Sequence, residues 1–105
     1  MNKLYIIVRN DIAPGLQLAQ SCHATEQFHR DHPTLASAWL NIVCLQVPSK
    51  EKLADLAYRA VTEGFAASLF REPDLDDEPT AVAVAGDAQK LFSSLPLALR
   101  PAQAA

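Results

Sequence analysis

A glutamine and a histidine three positions apart, Gln20 and His23, stand in a stretch free of further proline or glycine. His23 is equipped to move a proton, and Gln20 to orient what it acts on. On a helix, at roughly 100° per residue, Leu16, Gln20, His23 and Gln27 fall within about 60° of one another. An imidazole so placed suits general-base work, and a neighbouring amide suits the orientation of a carbonyl or hydroxyl. The same residues also read as the polar side chains of a partly covered helix face. Arg9 and Asp11 follow the first apolar run directly. Asp11 can cap a turn or accept a hydrogen bond, Arg9 can meet an acid or a phosphate, and the two can equally form a local ion pair. Glu72 closes a later apolar run, where it can partner Arg9 or His23 or stand as a solvated loop acid.

Other chemistries find less support in the sequence. His23, His29 and His32, with Cys22, offer metal-ligating types at poor spacing, because neighbours such as Cys22 and His23 point about 100° apart on a helix. That geometry also disfavours a Cys22–His23 nucleophilic pair. A glycine-rich phosphate loop, a Gly-x-Ser-x-Gly elbow and a dinucleotide fingerprint are all missing. Neither a metal nor a cofactor is expected.

The elements that must position these residues can be read in order. Residues 3–8 are nearly all apolar, as in a strand buried on both faces. Pro14 and Gly15 mark a turn, and residues 15–30 fit a helix that ends before Pro33. A short helical piece is expected around Leu35 to Trp39, and Asn41 to Val47 reads as a second buried strand. Ser49 is a good helix N-cap and Gly64 a good stop, and between them Leu53, Leu56, Ala57, Ala60 and Val61 make an apolar stripe. Phe65 to Phe70 gives a third strand, Glu72 to Pro79 an acidic loop, and Thr80 to Ala85 a fourth strand. Asp87 can cap a last helix reaching Leu95. The order β-α-β-α-β-β-α implies an α/β domain in three layers: a four-stranded mixed sheet, three strands parallel and one antiparallel, with helices on both faces. Ligands of such sheets bind beyond the carboxyl ends of the parallel strands. Arg9 to Gly15, the turn at Val47 to Ser49, and Arg71 to Pro79 all arrive there.

The chain has 105 residues, half of them hydrophobic, enough for one domain with its own core. Residues 1–99 are expected to form that domain and residues 100–105 a disordered tail. No stretch approaches the ~20 apolar residues of a membrane span, and nothing near the N-terminus reads as a signal peptide. Cys22 and Cys44 suit reduced core thiols of a cytoplasmic protein. The formal net charge is −3, from nine basic and twelve acidic residues. Nucleic-acid binders normally carry a basic excess, so the charge argues mildly against RNA.

The motifs Ile7-Val8-Arg9-Asn10-Asp11, Pro14-Gly15 and Ala19-Gln20-Ser21-Cys22-His23-Ala24 resemble those of the peptidyl-tRNA hydrolases of the archaeal and eukaryotic type. Trp39, the Ile42 to Val47 strand, the Ser49 helix, Gly64, Ser68-Leu69 and the strand opening on Thr80 follow in family order. The resemblance spans most of residues 3–99. It implies hydrolysis of the ester between peptide and tRNA, with His23, Gln20, Glu72 and Asp11 catalytic and Arg9, Asn10 and Thr80 binding substrate. Glu72 stands where the family has the Asp of an Asp-Ala-Gly-Arg-Thr loop.

Three departures accompany it. Leu16 stands where the family has a lysine. The loop Glu72 to Pro79 is acidic and lacks Gly-Arg-Thr, and the first loop is about two residues short. Two functions follow from this mixture. One is a divergent hydrolase of peptidyl- or aminoacyl-tRNA esters or a related small substrate; the other is a catalytically inactive binding or regulatory module using the same cleft. Leu91, Phe92 and Leu95 offer apolar surface for a homodimer, or for ordinary core packing.

Overall fold

The computed structural model describes residues 3–35 and 41–100. Its elements are β1 (Lys3–Arg9), α1 (Pro14–Asp31), β2 (Asn41–Val47), α2 (Lys50–Thr62), β3 (Ala66–Glu72), β4 (Glu78–Ala85) and α3 (Gln89–Phe92), with a 3-10 turn at Pro73–Leu75. Most of the helix expected around Leu35 to Trp39 and most of the tail expected from Arg100 lie outside the described residues.

The sheet order is β2-β1-β4-β3. Only β1 and β2 form a parallel pair; β4 lies antiparallel to both β1 and β3. The expectation of three parallel strands is therefore corrected. β3 runs in the direction of β1 but never pairs with it, because β4 folds back between them. The reason lies in β4 itself. Thr80 to Ala85 are buried on both faces, which suits an interior strand, whereas β2 and β3 are half-exposed edges. The β1-to-β2 and β2-to-β3 crossovers run in opposite directions across the sheet. Right-handed connections then put α1 and α2 on opposite faces.

Each face has its own core. Tyr5, Ile7, Val82 and Val84 pack with Leu53, Leu56, Ala57 and Ala60 of α2 and Phe92 of α3. On the other face Leu4, Ile6, Val8, Ala81, Ala83 and Ala85 receive Ala24 and Phe28 of α1. The three alanines of β4 form a shallow floor under α1.

Local chemistry sets the helix ends. Pro14 opens α1, where its missing N–H costs nothing, and Ser49 caps α2 by accepting from the Lys52 N–H at 3.2 Å. Gly64 closes α2 in a left-handed conformation (φ 91°). Its N–H reaches the Val61 carbonyl while the Phe65 N–H reaches that of Ala60, the paired bonds of a Schellman motif.

Several local expectations change. Val61 is exposed rather than part of the buried stripe. The last helix is only Gln89–Phe92 and has no side-chain cap from Asp87. Phe92 is buried against Tyr5, with Leu91 and Leu95 packed on the same core, so these residues are core rather than free surface. Cys22 and Cys44 are exposed, not core thiols. Cys44 lies on the edge strand and Cys22 on the outer flank of α1, both lining an open groove with Leu18 and Ile42. No helix among the described residues is long and apolar enough to cross a membrane.

Candidate functional site

Arg9, Val47 and Glu72 end three co-directional strands, and Glu78 begins the fourth, so all four arrive at one edge of the sheet. Two hydrogen-bonded networks occupy that edge, one on each face.

The network on the α1 face is built around Gln20, which is only 1% exposed. Thr80 donates its hydroxyl to Gln20 Oε1 at 2.7 Å, and Gln20 Nε2 donates to Glu72 Oε1 at 2.7 Å. The Asp74 N–H supports Glu72 Oε2 at 3.2 Å. Thr80 reaches Gln20 because the pairing of β3 with β4 slips between Phe70 and Arg71, leaving Thr80 as the extra residue of a bulge. A bulge re-aims a side chain that regular alternation would send to the opposite face. One turn along α1, the exposed His23 ring lies nearly flat on Phe70, with centroids 4.8 Å apart and planes at 16°. The hydrogen bond from Gln20 holds the Glu72 carboxyl below its ordinary range, helped by the Asp74 N–H and the nearby His23 charge.

The network on the α2 face joins four charged side chains. Arg9, buried, grips Asp11 with two bonds, Nε to Oδ1 at 2.6 Å and Nη2 to Oδ2 at 2.9 Å. Its Nη1 donates to Glu78 Oε1 at 2.7 Å. Lys50, the first residue of α2, meets Glu78 Oε2 at 3.0 Å. Hydrogen bonding to Arg9 lowers the Asp11 carboxyl, and Arg9 followed by Lys50 lowers that of Glu78. Arg9 is pushed up in turn, chiefly by Asp11, so it stays protonated at any pH the fold survives.

The structure therefore brings Arg9, Asp11, Gln20, His23, Glu72 and Thr80 to one edge, and divides their labour. Gln20 and Thr80 are buried and committed to each other. Arg9 is committed to Asp11 and Glu78 rather than to Glu72, which takes Gln20 instead. Asn10 is exposed, and its carbonyl accepts from Gln17 at 3.4 Å. Sequence reasoning missed Lys50, Glu78 and Phe70. The signal for Glu78 was its place one residue before Pro79, at the start of the strand that opens on Thr80.

The family model for peptidyl-tRNA hydrolase PTH2 matches residues 2–99. The chain belongs to that family. No match was found among curated proteins. Among solved structures, the PTH2-family fold seen here is similar to that of the protein of unknown function Atu0240 from Agrobacterium tumefaciens strain C58. The two share 15% identity over 91% of this chain and 96% of that one, with a TM-score of 0.69. At that identity the likeness speaks for the fold alone. Leu16, which stands at the lysine position of the family resemblance, lies in the first turn of α1, and Lys50, the first residue of α2, brings an ammonium to the edge from the opposite face.

Proposed function

We propose that this PTH2-family protein hydrolyses an acyl ester of the peptidyl- or aminoacyl-tRNA type, with His23 as general base. The observation that carries this reading is the exposed His23 ring, stacked on Phe70 beside a Glu72 carboxylate that Gln20 and Asp74 hold in place. No described residue hydrogen-bonds its ring nitrogens. A water on the imidazole would lose its proton while attacking the ester carbonyl, and Glu72 would stabilise the imidazolium so formed. Asn10 and Asp11, both exposed at the same edge, would orient the leaving ribose. Gln20 and Thr80 act as positioning residues through Glu72.

The test is release of peptide from peptidyl-tRNA by the purified protein. The His23→Ala variant is expected to lose roughly 10²- to 10⁴-fold in rate, the usual worth of a general base, while melting at the parent's temperature because the ring is exposed. Absence of turnover in the parent chain, with none gained on Leu16→Lys, would rule out the tRNA ester as substrate.

One observation favours the second reading, a catalytically inactive binding module. The cation at the strand end, Arg9, is saturated by its own chain's carboxylates. Under that reading the His23→Ala variant would bind the same ligand as the parent, with no hydrolysis by either.

A further inference from the structure

Two cations of different origin converge on one carboxylate at the site. Arg9 comes from the end of β1, Lys50 from the start of α2, and each takes a different oxygen of Glu78, at 2.7 and 3.0 Å. Nothing else in the chain is bound by two cations in this way among the ion pairs of the described residues. The pair presents a guanidinium and an ammonium to a planar anion, the donor set that recognises carboxylate or phosphate oxygens. Arg9 is rigid, with its side chain 9% exposed and its other face locked on Asp11. Lys50 and Glu78 are 40% and 32% exposed, so the carboxylate end of the arrangement is open to solvent.

The segment that delivers Glu78 is strained. Asp76 and Asp77, immediately before it, both hold left-handed conformations (φ 53° and 59°) without being glycine. Left-handed backbone is disfavoured for any residue with a Cβ, and strain of this kind gathers at sites that change state. The loop is pinned on its far side by the Asp77 N–H bond to the Glu72 carbonyl and by Arg71 on the Asp77 carbonyl. Glu78 is paired opposite Glu72 in the backbone ladder, and its side chain is held by its charge contacts to Arg9 and Lys50.

We infer that Arg9 and Lys50 form an anion subsite, that Glu78 fills it in the unliganded protein, and that a phosphate group of the ligand displaces Glu78 on binding. Lys50 thus supplies, from the opposite face of the sheet, an ammonium that Leu16 does not. The inference deepens the proposed function, since it rests on the same edge being the working site, and it names the ligand class as phosphate-bearing. A tethered self-ligand competes at high effective concentration, so it weakens apparent affinity by the fraction of time the subsite stands open. It also discriminates: a neutral ester gains nothing from opening the subsite, whereas a phosphate group offers an anionic oxygen to each cation and replaces both bonds.

The test uses inorganic phosphate as the probe and the full chain. Binding is followed by the side-chain NMR signals of Arg9 and Lys50 at constant ionic strength. In the parent chain, phosphate is expected to shift both signals together along one saturable curve. In Glu78→Gln the affinity should rise about tenfold, as for a self-ligand that keeps the subsite nine-tenths closed. In Glu78→Gln combined with Lys50→Ala that gain should vanish. Signals of Arg9 and Lys50 that stay fixed in the parent up to saturating phosphate would overturn the inference, whatever the variants do. A gain that survives loss of Lys50 would overturn it too. These readouts need no turnover. Phosphate binding as described with no ester hydrolysis would leave the subsite standing and remove the hydrolase reading, and the converse result would do the reverse.

Discussion

At the scale of single residues, the site turns on one amide whose orientation is fixed at both ends. Gln20 accepts from Thr80 and donates to Glu72, in a setting almost without solvent. Thr80→Val keeps the side chain's shape but leaves Gln20 Oε1 buried without a donor. The expected loss is about 1–3 kcal/mol of stability, read from the urea midpoint at unchanged slope. A loss below about 0.5 kcal/mol, the range of ordinary surface changes, would mean the amide finds another donor. The sequence named every member of this trio: Gln20 from its place on the helix face, Glu72 from closing an apolar run, and Thr80 from the family resemblance. It could not show that Thr80 is wholly buried. Strict alternation along β4 sends Thr80 to the α2 face, and only the bulge, a matter of pairing between two strands, turns it toward Gln20. Lys50 and Glu78 were missed for a related reason. Their meaning lies in a meeting of elements far apart in the chain, and each alone looks like a solvated surface charge.

At the scale of elements, legibility followed how local the determining forces are. α2 was readable almost to the residue, since its cap, stripe and glycine stop all act within one turn of where they stand. The order of strands was not, because nothing in the period of β3 or β4 says which neighbour each will choose. The alternation of alanine and valine through Thr80 to Ala85 did carry a clue that this strand is interior. It also sets how closely α1 approaches: Ala81, Ala83 and Ala85 face Ala24 and Phe28. Enlarging that floor with Ala83→Leu is expected to destabilise the fold by about 1–3 kcal/mol through overpacking. Because α1 carries Gln20 and His23, the same change should move the helix off the sheet and stretch the Gln20–Glu72 bond. Chemical shifts of the Gln20 amide group would report this directly. A variant that loses stability while those shifts stay put would show that the helix absorbs the volume elsewhere. The α2 cap offers a simpler comparison. Ser49→Ala removes an acceptor for the Lys52 N–H and should cost about 1 kcal/mol, read from thermal unfolding.

At the scale of the whole molecule, the balance of charge makes the fold depend on pH in a definite direction. Asp11, Glu72 and Glu78 all have carboxyl pKa values lowered in the folded state, by Arg9, by Gln20, and by Arg9 with Lys50 respectively. A group with a depressed folded pKa releases its proton more readily when folded than when unfolded. The unfolded chain therefore binds more protons over the interval between the two values, and stability rises with pH across it. Above the ordinary carboxylate range of about 4 the contribution is fully present. As pH falls through that range and on through the lower folded values, the contribution is lost. Arg9, raised rather than lowered, stays charged in both states through this window and adds no slope of its own. Urea unfolding between about pH 3 and 7 should show a plateau above about pH 5 and a decline below about 4. Asp11→Asn takes a charge partner from the buried Arg9, so it is expected to fold with a lower plateau and to shed its share of the acid slope, leaving a shallower decline. An acid limb of the same steepness in that variant would assign the proton uptake to other carboxylates. Solvent and salt screen these partly open pairs, and raising the ionic strength should flatten the same limb without moving the plateau's edge.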